Sequence, residues 1–118
     1  MLPPEPTPSE DHEQMLTVQW FRRTYPGELI FAIPNGGHRS KTTAALLKAT
    51  GVVPGIPDLC IPRVATYIEM KRRKGGKLSP EQKTIIEQLQ NMGYQVFVCH
   101  GFDDAKKAIE GLMKCPMQ

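Results

Sequence analysis

The stretch from Tyr67 to Cys99 most restricts the folds open to this chain. It holds two apolar runs, one ending at Lys71 and the other covering Tyr94 to Cys99, YQVFVC, with a single helix between them. The helix is marked at both ends. Ser79-Pro80-Glu81-Gln82 puts serine at the N-cap, proline at the first helical position and glutamine at the third, the pattern of a capping box. Ile85, Ile86, Leu89 and Met92 form its apolar stripe, and Gly93 closes it as a left-handed stop. Strand, helix, strand in so short a length requires parallel pairing through a right-handed crossover.

Upstream, GVVPGIPDLCIPR is crowded with glycine and proline, so it enters a strand only near Asp58 and leaves it at Pro62. The next strand, Val64 to Lys71, follows after Pro62-Arg63 alone, which demands an antiparallel hairpin. That hairpin brings Asp58 to the same end as Glu69 and Lys71. Period-two alternation then sets Glu69 and Lys71 on one face and Met70 on the other.

The remaining elements fit around this unit. Residues 1–8 include four prolines and read as a flexible lead-in, leaving residues 9–118 as one domain. Ser9 caps a first helix running to about Tyr25, where Pro26-Gly27 stops it. Glu28 to Ile33, ELIFAI, reads as a buried strand ending in Pro34-Asn35-Gly36-Gly37. Ser40 or Thr42 caps a second helix to Ala49, ended by Gly51, and Asp103-Asp104 open a last helix through Leu112. The expected fold is α/β, with a mixed sheet of about four strands flanked by helices.

Composition excludes several classes. Hydrophobic residues are 40% of the chain, and no apolar run approaches the roughly 18 residues of a membrane span. The first residues have neither a basic nor an apolar signal region, so the cytoplasm is the expected location. Cys60, Cys99 and Cys115 are odd in number and lack a CxxC spacing, which argues against a disulfide framework or a thiolate zinc site.

Asp58, Glu69 and, less directly, Glu13 are the candidate metal ligands. Oxygen donors without histidine or cysteine suit Mg2+ or Mn2+ rather than zinc. The backbone carbonyl of Met70, between two site residues, is a further candidate ligand. Glu13 either looks inward with Leu16 and Trp20 or belongs to the acidic first turn with Glu10 and Asp11, and periodicity leans slightly to the second reading. A carboxylate pair beside a lysine is most often a salt bridge. Phosphodiester hydrolysis, however, needs this same set: oxygen ligands for a divalent ion, and a cation for developing charge.

Lys71 is the candidate catalytic cation. Arg72, Arg73, Lys74 and Lys77 fall within six residues of it, a local positive patch in a chain of net charge +3, and would follow a nucleic-acid backbone. His38, Arg39 and Lys41, after the Pro-Asn-Gly-Gly loop, are further candidates for DNA contact. Gly75-Gly76 either lets the basic loop follow the nucleic acid or is a plain flexible turn. Gln82 belongs to the capping box, but the face it shares with Ile86 and Leu89 also lets its amide reach the attacking water or a substrate phosphate.

Pro57-Asp58, then Glu69 to Lys71 as ExK, then Gln82 in LSPEQ resemble the PD-(D/E)xK nuclease superfamily. With IPNGGHRS at residues 33–40, LKATGVVPGIPDLCIP at 47–62, YIEMKRRKGGKLSPEQ at 67–82 and LQNMGYQVFVC at 89–99, the chain is similar to the VRR-NUC family, virus-type replication-repair nucleases. The resemblance covers most of the chain after the leader. It implies a restriction-endonuclease-like core, Asp58 and Glu69 as metal ligands, Lys71 as catalytic lysine, Gln82 as motif glutamine and Glu13 as first-helix glutamate. It further implies a Mg2+- or Mn2+-dependent endonuclease of the stand-alone phage and bacterial type, in the host cytoplasm. Such proteins act on branched DNA such as Holliday junctions, and a homodimer would pair two sites for symmetric cleavage. An exonuclease or flap nuclease on the same scaffold, and a non-catalytic DNA-binding module, are the alternatives.

Overall fold

The computed structural model describes residues 6–34 and 41–114. Helix α1 spans Glu10–Thr24, strand β1 Phe31–Ala32, α2 Lys41–Ala49, β2 Leu59–Ile61, β3 Thr66–Lys71, α3 Pro80–Asn91, β4 Gln95–His100 and α4 Phe102–Met113. The strands lie in chain order, β1-β2-β3-β4. The first two pairings are antiparallel and the last, across the α3 crossover, is parallel.

Local chemistry accounts for the boundaries. The Ser9 hydroxyl accepts the His12 N–H, and Glu10, Asp11 and Glu13 place negative charge at the positive end of α1. The box at α3 closes in both directions, with Ser79 Oγ accepting the Gln82 N–H and Gln82 Oε1 accepting the Ser79 N–H.

Alternation sorts the sheet into two faces. Leu59, Ile61, Ile68, Met70 and Cys99 face α1 and α4 and pack with Phe21, Ala105 and Ile109 into the main core. Cys60, Tyr67, Glu69, Lys71, Val98 and His100 take the opposite face, where α3 lies with Ile86 and Leu89 buried. The polar motif residues therefore share the α3 face, and the α1 and α4 side is hydrophobic.

Two expectations need correction. The run Glu28 to Ile33 is not a buried strand: only Phe31 and Ala32 pair, both exposed, and Ile30 alone enters the core. As the sheet's edge, β1 has one neighbouring strand, so its apolar pattern is not matched by burial. The hairpin connection is also longer than two residues. Pro62–Val64 form a turn of 3-10 helix, and Ala65 takes a left-handed conformation with φ 47 before β3 begins at Thr66. Proline starts such a turn readily, and closing it back onto β2 requires a positive φ.

That left-handed alanine is strained, because its Cβ crowds the carbonyl oxygen. Ala65→Gly is expected to stabilise the fold by about 1 kcal/mol, raising Tm by roughly 4 °C. An unchanged or lower Tm in thermal denaturation would show that the methyl's packing outweighs the strain.

Candidate active site

The site forms where β2 ends and β3 continues. Pairing of Leu59 with Ile68 sets Asp58 opposite Glu69 on the same face. The Asp58 carbonyl accepts the Ile33 N–H at 2.8 Å and Oδ2 accepts the Met70 N–H at 2.8 Å, so backbone and side chain are both anchored. Two acids thus meet because the hairpin register gives them no alternative.

Glu69 is 2% exposed, and its two oxygens are treated differently. Oε1 accepts from Gln82 Nε2 at 3.1 Å and lies 3.8 Å from Lys71 Nζ. Oε2 is buried and receives no hydrogen bond. Burial, then the Asp58 charge and the contact with its carboxyl group, push the Glu69 carboxyl up to about 8; Lys71 opposes the shift and Glu10 adds to it.

Each supporting residue is fixed from behind. Because the capping box holds Gln82 Oε1 on the Ser79 N–H, the amide must turn its NH2 group toward Glu69. The structural and functional readings of Gln82 therefore describe the same amide. Gly55, at φ +86, lets the loop before Asp58 lie against α3: a Cβ there would sit 2.6 Å from the Glu81 carbonyl carbon. Gly76 lies over Lys71, where a Cβ would be 3.0 Å from the lysine Cβ. This close approach helps enclose the lysine, which is 6% exposed.

Glu13 is fully buried, as the inward reading held, but the structure does not bring it to Asp58 and Glu69. Its Oε2 accepts from Arg73 Nε at 2.9 Å and the Phe102 N–H at 3.0 Å, and its Oε1 accepts from Arg73 Nη2 at 3.2 Å. Burial favours the neutral acid, yet the Arg73 hydrogen bonds and the Phe102 N–H hold the carboxyl below its ordinary range. Gly101 makes room, since a Cβ there would collide with Glu13 Oε2. Glu13 so ties α1 to the basic loop and to the start of α4. Its buried stripe is Thr17 and Phe21 rather than Leu16 and Trp20.

The acid that does approach the site is Glu10, one turn earlier, with Oε1 4.0 Å from Lys71 Nζ. Sequence reasoning missed it, because an acid in a helix's first turn is explained by the dipole alone. Arg73 is paired with Glu13, and its side chain is half-exposed. Arg72, Lys74 and Lys77 are exposed, and Arg72 Nη2 donates to the Thr7 carbonyl at 3.3 Å. His38, Arg39 and Cys115 lie outside the described residues, as does the side chain of Lys41. Cys60 and Cys99 are buried free thiols, and burial raises both, Cys99 to about 12 with the Asp104 charge adding to the shift, which disfavours the reactive thiolate.

Among the described residues no three acid, histidine or cysteine side chains form a metal cage. Mg2+ does not need one, since it keeps several waters and is commonly held by one or two carboxylates together with substrate phosphate. The orphaned Glu69 Oε2, beside Asp58, fits that demand. Met70 fits as well. The Lys71 carbonyl accepts the Gly101 N–H on the β4 side, so by alternation the Met70 carbonyl points to the Asp58 side, past the end of β2.

The raised Glu69 carboxyl has a consequence for stability. The folded group titrates near 8 against an ordinary 4.5, so the stability it contributes is complete below about pH 4.5 and is lost as pH rises through about 8. Glu69→Gln removes the buried charge. With divalent ions chelated, it is expected to raise Tm at pH 8.5 by roughly 5 °C or more and to flatten the decline between pH 5 and 8.5. Parallel pH profiles for the two proteins would contradict the assignment.

Comparison with known proteins agrees with this geometry. The family model for the VRR-NUC domain matches residues 7–103. A solved structure of a VRR_NUC domain protein superposes with a TM-score of 0.81 at 28% sequence identity, covering 95% of this chain and 93% of that one. A search of curated proteins finds no match. The α/β core, with its mixed sheet between helices, is thus the restriction-endonuclease-like core expected from the motifs. The chain belongs to the VRR-NUC family of nucleases.

Proposed function

We propose that this nuclease is a Mg2+- or Mn2+-dependent, structure-specific endonuclease that hydrolyses phosphodiester bonds in branched DNA, Holliday junctions foremost, as a homodimer. The observation that carries metal dependence is Glu69 Oε2, a buried carboxylate oxygen without a donor, set beside Asp58. Asp58, Glu69 and the Met70 carbonyl would hold the ion. When bound, it would act as a Lewis acid toward the scissile phosphate and acidify the attacking water.

The chain's own residues supply the rest. Lys71, enclosed by Gly76 and Glu69, presents a compact positive charge to the phosphate as negative charge develops. Gln82 holds Glu69 Oε1, which leaves Oε2 for the ion. Arg72, Lys74 and Lys77 are the exposed cations for flanking phosphates, so binding should weaken steeply with salt. Glu13 serves by fixing Arg73 and the loop. The preference for branched DNA rests on the likeness to stand-alone family members. For a second copy, Val53, Ile85 and Met92 offer apolar surface along a shallow groove beside α3.

The test compares a four-way junction with blocked ends, a flap and a linear duplex, with light scattering on the same sample. Paired internal cuts in the junction are expected, at least about tenfold faster than in the duplex, from a protein of dimeric mass. Glu69→Ala and Lys71→Ala are each expected to lower cleavage by on the order of a thousandfold while remaining folded. Wild-type cleavage by Glu69→Ala would refute the mechanism. Products that arise only from free ends or flaps would replace the endonuclease with an exonuclease or flap nuclease.

A further inference from the structure

His100, the last residue of β4, takes no part in the machinery above. Its register partner is Lys71, and paired residues on neighbouring strands share a face. His100 therefore stands one strand over from the catalytic lysine, on the site face. The strand spacing and rise place its Cα about 8 Å from that of Glu69. It is exposed, whereas Lys71 is enclosed.

The imidazole is held in one orientation. Nδ1 lies 3.1 Å from the Arg72 carbonyl oxygen, and a carbonyl only accepts, so Nδ1 carries the hydrogen in either charge state. The main-chain N–H of His100 is bound by Asp104 Oδ2 at 2.9 Å, which fixes the backbone beneath the ring. Nε2 is left to change character. In the neutral ring it is a lone pair, which repels a phosphate oxygen; in the protonated ring it is a charged donor, which binds one. The charged groups around it are Lys71 from β3, Arg72 just after β3 and Asp104 from α4.

We infer that His100 is a phosphate-contact residue, binding a backbone phosphate next to the scissile one through protonated Nε2, so that DNA binding takes up a proton. The inference rests on the reading of the site as a DNA nuclease and extends it to a residue outside its motifs. Histidine is the side-chain type suited to a contact whose strength changes with pH.

The measurement is fluorescence anisotropy of a labelled four-way junction, with Ca2+ in place of Mg2+, at pH 6.0 and 8.0 over a series of salt concentrations. Wild type, His100→Gln and His100→Lys are compared, and differences taken at each pH cancel contributions from Glu69. Wild type should bind at least about fivefold tighter than His100→Gln at pH 6.0, with a log-log salt slope steeper by roughly 0.9, and equally at pH 8.0. His100→Lys should bind tightly at both. If His100→Gln matched wild type in affinity and slope at pH 6.0, the contact would be disproved. If wild type bound no DNA at either pH, the DNA reading itself would fall, and this contact with it.

Discussion

Two carboxylates are forced together at the open end of a hairpin, and most of the local architecture answers to that constraint. Asp58 and Glu69 are set opposite each other by strand register, and the Met70 N–H and the Gln82 amide hold their side chains there. Burial makes it costly to charge both, because the charge is no longer spread into water, so Glu69 keeps its proton well above the usual carboxylate range. The protein tolerates this by giving Glu69 Oε1 an amide and an ammonium, and by leaving Oε2 without a donor. An arrangement that costs stability in the free chain becomes favourable once a cation shares both acids.

The neighbouring elements act as rigid supports for that pair. A capping box normally only starts a helix, but here it also orients Gln82, because both ends of one amide are used. Gly55 allows the loop that carries Asp58 to touch the backbone of the same helix turn. Gly76 closes over Lys71 from the other side. At a distance from the chemistry, the Glu13 and Arg73 pair joins α1, the basic loop and the start of α4. Gly55 is required by its close approach to the helix backbone, and a Cβ at Gly76 would press tightly on Lys71.

What was legible in the sequence was whatever local rules decide. The hairpin, the crossover and the α3 cap follow from strand period, connection length and residue types at fixed offsets, and they place Asp58, Glu69, Lys71 and Gln82 correctly relative to one another. Less legible was anything set by a long-range partner. Glu13 and Glu10 are both first-turn acids, and only tertiary packing shows that the first binds Arg73 and the second approaches Lys71. Arg73 looked like one cation among several for the same reason. The run around Phe31 has the composition of a buried strand, yet its edge position leaves it exposed, and no local pattern records which strand forms the edge.

Divalent-ion titration calorimetry on the wild-type protein and on Glu69→Gln, in two buffers of different ionisation enthalpy, tests the central claim most directly. If the acid pair is the metal site, Mn2+ should bind wild type at one ion per chain. Binding should release a proton at pH 7, where Glu69 is still largely protonated, and less at pH 9. Glu69→Gln should bind at least about tenfold more weakly and release no proton. Equal affinity in the two proteins, or binding to wild type without proton release at pH 7, would contradict the account.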